Sequence, residues 1–248
     1  MNRAWLQVRG RRTLAAFLFA SVSLLAGPPY LTDDPEPVDL HHWELYLFTA
    51  GQVSSGRASG LGPAMEANYG PFEDVQLQIQ VPLAYGTGGD GQRHRGLGNL
   101  GVGFKYRFLH ESEGTPQMAL YPSVLAPAGG GEVLGDSHWR LFLPLWAQKG
   151  FGPWSLVGGG GWMRNPGQGN RDYTVAGLLL QRQLAEGYSV GVEVFHQGAS
   201  DVDDPGFSTW NIGFECALTS HLQLVGSGGE VFRGVKGTQF YLGLRGHL

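Results

Sequence analysis

The stretch Val75-Gln76-Leu77-Gln78-Ile79-Gln80-Val81 puts every aliphatic side chain on one face of an extended chain and every amide on the other. A period of two belongs to a strand, because a helix would mix the two sets around its circumference. The pattern returns at Leu100-Gly101-Val102-Gly103-Phe104-Lys105-Tyr106-Arg107-Phe108 and at Trp210-Asn211-Ile212-Gly213-Phe214-Glu215-Cys216. A chain built from such segments has two solutions. In a soluble sandwich the apolar face is the core. In a membrane barrel it faces lipid, and the polar face lines the lumen.

Length and spacing favour the barrel. Twelve alternating runs fall at 42–50, 62–70, 75–85, 99–109, 117–127, 139–149, 154–164, 172–184, 188–197, 208–218, 222–232 and 238–248. Most have the length that a tilted strand needs to cross a bilayer, about nine to eleven residues. Twelve is even, as bacterial single-chain barrels require. Connections after even-numbered runs are short, as at Pro71–Asp74, Phe151–Pro153 and Ala185–Gly187. Those after odd-numbered runs are longer and rich in Gly and Asp, as at Gly51–Leu61, Gly86–Gly98 and Gly198–Phe207. Such sorting is an outer-membrane habit with no counterpart in a sandwich. Trp43, Tyr69, Tyr85, Trp146, Trp154, Trp162, Tyr188 and Trp210 lie near run ends and suit interfacial girdles. The expected fold is all-β: a transmembrane antiparallel up-and-down β-barrel of about 12 strands, within a range of 10–14.

Composition removes several other classes. Charged residues are 15% of the chain and aromatics 12%, so a disordered chain is excluded. One cysteine, Cys216, allows neither a disulfide framework nor a Cys-based zinc site. A net charge of −4 offers no basic field for nucleic acid. Residues 1–26 read as a signal peptide: Arg3, Arg9, Arg11 and Arg12 precede the uncharged apolar run Thr13–Ala26. That run is too short for a spanning helix, which needs about 20 residues. Three parts are expected: signal 1–26, an acidic Pro-rich segment 27–41, and a barrel 42–248. The place is the bacterial outer membrane.

The segment Gly27-Pro28-Pro29-Tyr30-Leu31-Thr32-Asp33-Asp34-Pro35-Glu36-Pro37-Val38, with His41-His42-Trp43-Glu44, resembles the start of a family of outer-membrane barrels. The family is labelled "meta-pathway of phenol degradation" or "transporter". Lys105-Tyr106-Arg107-Phe108-Leu109, Thr115-Pro116-Gln117 and Leu143-Pro144-Leu145-Trp146-Ala147-Gln148-Lys149 resemble it too. The likeness covers the whole exported chain. It implies a β-barrel that passes hydrophobic or aromatic compounds.

Candidate site residues follow from the polar register. Glu44, Glu66, Asn68, Gln76, Gln78, Gln80, Lys105, Arg107, Arg140, Glu193, Asn211, Glu215, Arg245 and His247 alternate with apolar neighbours and are expected to line the lumen. They either tune an open path or pair and fill a narrow interior, since twelve strands lie between the filled and the channel-forming sizes. Asp33, Asp34, Glu36 and Asp39 form an acidic run without a base. It could enter the lumen against Lys105, Arg107 or Arg245 as a plug or gate, or stay outside as a tail. No metal, cofactor or catalytic residue is assigned. Gly86-Thr87-Gly88-Gly89-Asp90-Gly91 matches a dinucleotide fingerprint, but Gln92–Gly98 has no helical period to complete it. The expected function is passive passage of small, hydrophobic or aromatic molecules. The alternatives are a structural or adhesion barrel and a lipid hydrolase built on His196 and Ser208. Expected partners are outer-membrane lipid, small-molecule cargo, and the barrel-assembly machinery. The last would read the terminal strand, where Phe240, Leu242, Leu244, Gly246 and Leu248 share one face.

Overall fold

The computed structural model describes residues 27–54, 56–88, 91–129, 134–135 and 137–248. The signal-peptide assignment falls outside the described residues. Fourteen strand segments follow in order: β1 (Trp43–Ser54), β2 (Arg57–Phe72), β3 (Val75–Thr87), β4 (Arg93–Leu97), β5 (Leu100–Leu109), β6 (Gln117–Leu120), β7 (Ser123–Ala126), β8 (Arg140–Phe151), β9 (Trp154–Arg164), β10 (Tyr173–Ala185), β11 (Tyr188–Gln197), β12 (Phe207–Ala217), β13 (Leu222–Arg233) and β14 (Thr238–His247). They make twelve staves. β4 and β5 both pair with β3 and form one stave kinked at Gly98-Asn99. β6 and β7 form another, interrupted at Tyr121-Pro122. Every neighbouring pair is antiparallel, and β1 pairs with β14 from Glu44↔His247 to Val53↔Thr238. The sheet therefore closes on itself through its spanning part, as a spanning sheet must, and β4 extends beyond it paired to β3.

The alternation sets the two faces. On β3, Leu77, Ile79, Val81 and Leu83 point outward and are 42–52% exposed, while Gln76, Gln78 and Gln80 point inward and are at most 6% exposed. A row of exposed aliphatics on all sides of a closed barrel would cost a large hydrophobic penalty in water. The same surface is at home in lipid. Five of the expected girdle residues, Trp43, Trp154, Trp162, Tyr188 and Trp210, lie on that outer face. Trp146 does not: it is 1% exposed and points into the lumen. Its neighbours explain the correction. A side chain at Gly159, its cross-strand partner, would collide with the Trp146 ring, so glycine there lets the indole lie flat on the inner wall.

Two expected loops are partly strand. Gly51–Ser54 and Arg57–Leu61 extend the β1–β2 hairpin, and Arg93–Leu97 pairs with the top of β3. Hydrophobic alternation fades there, yet backbone pairing continues, because strands rising out of a membrane need no apolar face. The Gly-rich run after β3 therefore leads into a strand, and the dinucleotide reading has no helix to stand on. At Pro122 the ring removes a backbone donor. The wall is bridged by Tyr121 N–H to Pro144 O at 3.2 Å and Phe104 N–H to Pro122 O at 3.0 Å.

Candidate functional site

The interior has two zones. At the short-turn end, the periplasmic end in barrels of this kind, the wall is polar. Glu44, Asn68, Gln76, Arg107, Gln148, Gln181, Glu215 and Arg245 all face inward on their registers there. Toward the long loops Phe48, Leu61, Leu125, Phe142, Trp146, Met163, Tyr173, Val175, Phe195, Phe207 and Tyr241 form one buried apolar cluster, with Arg140, Gln197 and Thr209 buried among them as cross-strand partners of Leu125, Phe207 and Phe195. Leu134, from the connection between β7 and β8, joins it and sits over Gly96.

The segment 27–40 runs inside the barrel. Tyr30, Thr32 and Asp33 are at most 4% exposed. The turn Gly27–Tyr30 closes with Tyr30 N–H donating to Gly27 O at 3.0 Å. The chain then carries Leu31 up against Phe142, Trp146, Met163, Tyr173, Val175 and Phe195. It returns past Val38, whose N–H donates to Gln76 Oε1 at 3.0 Å, and leaves the lumen where Leu40 bridges Gly70. This path is held by named contacts. Glu193 accepts the N–H of Leu31 at 3.2 Å, the N–H of Thr32, and Asn211 Nδ2 at 2.6 Å. Ser227 Oγ donates to Pro29 O.

Glycines make the room. Gly191 and Gly213 are cross-strand partners, and a Cβ on either would lie 2.5 Å from the Tyr30 side chain. A Cβ on Gly177 would strike Thr32. Three inward glycines on adjacent strands thus form a shallow seat for one turn of chain.

The charges of the segment are matched. Lys105 Nζ lies 3.2 Å from Asp33 Oδ1 and 3.5 Å from Asp34 Oδ1, and donates to Glu36 O at 3.4 Å. Arg107 lies 3.8 Å from Glu36 and 2.8 Å from Asp74. Burial pushes the Asp33 carboxyl up to about 7, against the opposing pull of Lys105. Burial also raises Glu36, which Asp34 raises further. At the rim, burial of Asp74 disfavours its charge, but hydrogen bonds from Arg107 and His110 outweigh it and hold the carboxyl below its ordinary range. Of the four acids singled out from sequence, Asp33, Asp34 and Glu36 meet cations, whereas Asp39 lies exposed at the mouth. Of the three expected partners, Arg245 is engaged elsewhere: it bonds Glu215 at 2.9 Å and Gln223.

All fourteen sequence-derived lining residues point inward. Glu66, Asn68, Gln76, Gln78, Gln80, Lys105, Arg140, Glu193 and Asn211 are buried. Glu44 and His247 face each other across β1 and β14, 3.7 Å apart near the mouth. Below the segment lies a cavity of about 390 Å³, walled by Glu44, Glu66, Asn68, Gln76, Lys105, Glu215 and Arg245 among others. The apolar upper lining was missed from sequence, as were Gln148, Gln181 and Gln183. The glutamines sit on the polar register and could have been found by it.

His196 and Ser208 are cross-strand partners on the outer face, with Nδ1 and Oγ 3.0 Å apart. A nucleophilic serine needs its histidine oriented by a further group. Among the described residues, none hydrogen-bonds the other ring nitrogen.

No family model and no curated protein matches the chain. Solved structures do. The COG4313 outer membrane channel from Pseudomonas putida F1 aligns with a TM-score of 0.65 at 18% identity, over 86% of this chain and 97% of that one. The KdgM porin in complex with disordered oligogalacturonate gives 0.58 at 10% identity, over 82% and 98%. The NanC porin gives 0.54 at 5% identity, over 81% and 98%. The shared feature is the fold, a closed twelve-stave antiparallel barrel of the outer-membrane kind. With its outward apolar belt and inward polar register, the chain is a bacterial outer-membrane β-barrel.

Proposed function

We propose that this barrel is a channel for small apolar or aromatic molecules, held shut by its own N-terminal segment. The observation that carries the reading is Leu31. It packs against Phe142, Trp146, Met163, Tyr173, Val175 and Phe195, an apolar surface that an apolar solute would contact in its place. A solute entering from the long-loop side meets the apolar cluster and the polar side chains set in it, and Leu31 stands where its next apolar contact would be. Burial of a small apolar body there stabilises it by about 25 cal/mol per Å², the same gain that Leu31 takes. Solute and segment therefore compete for one site. Release of the segment opens the polar end to the periplasm. The likeness in fold to the COG4313 outer membrane channel, at a TM-score of 0.65, supports the reading.

Uptake into proteoliposomes tests it. Phenol or benzyl alcohol should enter faster than a sugar of similar mass, and Leu31→Trp, which crowds that surface, should slow that entry. Equal rates for aromatic and sugar would contradict the apolar preference. No hydrolytic role is assigned to His196 and Ser208. Phospholipid hydrolysis by the folded protein, lost in Ser208→Ala, would reverse that assignment.

A further inference from the structure

We infer that the periplasmic chamber carries a subsite for a protonated amine, centred on Glu66 of β2. Glu66 points inward and is 4% exposed. Each of its carboxylate oxygens accepts one side-chain amide: Asn68 Nδ2 donates to Oε1 at 3.0 Å, and Gln80 Nε2 donates to Oε2 at 2.9 Å. Those two bonds fix both amides. With each nitrogen turned to Glu66, the carbonyl oxygens Asn68 Oδ1 and Gln80 Oε1 are turned away from it. Both are buried and neither has a hydrogen-bond partner. Asn68 is 2% exposed and lines the 390 Å³ cavity together with Glu66. The cavity wall therefore offers the Glu66 carboxylate and the Asn68 carbonyl, with the Gln80 carbonyl buried behind them and Gln78 beside them as the cross-strand partner of Asn68. Buried acceptors without donors are costly, so a donor-rich group gains by entering.

The charges around the cluster point the same way. Among the described residues, no cation lies within ion-pair distance of Glu66. Lys105 is taken by Asp33, Asp34 and the backbone of Glu36. Arg245 is taken by Glu215 and Gln223. Glu44, the cross-strand partner of Asn68, adds a second carboxylate to the chamber. It accepts the Tyr46 hydroxyl at 2.9 Å and lies 3.7 Å from His247 at the mouth. An ammonium supplies three donors and one positive charge, which suits this set. A carboxylate meets like charge at Glu44 and Glu66, and a hydroxyl supplies one donor without charge.

The solute class follows: a small amine with an apolar body, the body suited to the apolar surface at Leu31 and the ammonium to the chamber. The class rests on the channel reading for its passage, but the subsite does not. Calorimetric titration of the intact folded protein at neutral pH with benzylammonium, benzoate and benzyl alcohol tests the subsite. Benzylammonium should bind at least tenfold more tightly than the other two. Glu66→Gln should erase that margin and leave benzyl alcohol within twofold, while Glu230→Gln, outward on β13 at the long-loop end, should change nothing. Should Glu66→Gln fail to fold, Asn68→Leu should still weaken benzylammonium about fivefold. Equal affinities for the three compounds, or a margin that survives loss of Glu66, would overturn the subsite. The readout is equilibrium binding without flux. A barrel that binds the amine but passes nothing would overturn the channel reading alone, and one that passes aromatics without binding the amine would overturn the subsite alone.

Discussion

Glu193 accepts two backbone N–H groups of the N-terminal segment and one side-chain amide of Asn211, all inside the barrel wall. Hydrogen bonds to a charged acceptor contribute about 1.5–3 kcal/mol each. Glu193→Gln keeps the shape but loses the charge and one acceptor oxygen. It should weaken the seat by about 2 kcal/mol, roughly thirtyfold in the released fraction, read as more frequent openings in single-channel records. Asp33 adds a pH dependence. Its carboxyl is raised by burial to about 7 in the seated state, against about 3.9 in water. A carboxyl with a raised seated value favours the seated state at low pH. That contribution is complete below about 4 and is lost as pH climbs through 7. Glu36 is raised too, so its contribution has the same sign. Openings should be rarer at pH 5 than at pH 8, and Asp33→Asn should flatten the difference. A profile that rises toward acid would contradict this account.

Among the elements, β9 to β12 build the seat. Glycine at 177, 191 and 213 is demanded by close approach of Thr32 and Tyr30, and glycine at 159 by Trp146. Gly213→Val favours the strand by propensity yet occupies the space of the Tyr30 ring. The barrel should still fold, with heat-modifiable gel mobility unchanged, and conductance should rise. A fold lost along with the segment would refute the idea that this glycine serves the seat alone. The strands themselves were legible from sequence because Gln76, Gln78 and Gln80 contrast so sharply with Leu77, Ile79 and Val81. Legibility failed where both faces are apolar. Leu141-Phe142-Leu143-Pro144-Leu145-Trp146 shows no polar register, so nothing in it says that Phe142 and Trp146 turn inward and Leu143 and Leu145 outward. The pattern alone therefore fits Trp146 to the girdle as well as to the lumen, where it lies. The route of segment 27–40 was equally hidden, because it has no period. Only the match of its acids to Lys105 and Arg107 pointed inward.

For the whole molecule, the exposed aliphatic belt and the closed β1–β14 seam make lipid the solvent of the outer face. Ile79→Arg, on that face, should destabilise the folded barrel by about 2–4 kcal/mol near the bilayer midplane. The same substitution one residue earlier, Gln78→Arg, enters the lumen and should leave gel-shift stability nearly unchanged. The interior then divides the labour between a packed apolar cluster at the long-loop end, a segment whose Leu31 packs against that cluster, and an acidic lower chamber. Single-channel recording in planar bilayers tests that division most directly, comparing the folded barrel with a variant lacking residues 28–38. The account predicts an intact barrel that is mostly closed and a shortened one with large, steady conductance. Equal conductance from the two would show that the segment does not close the path.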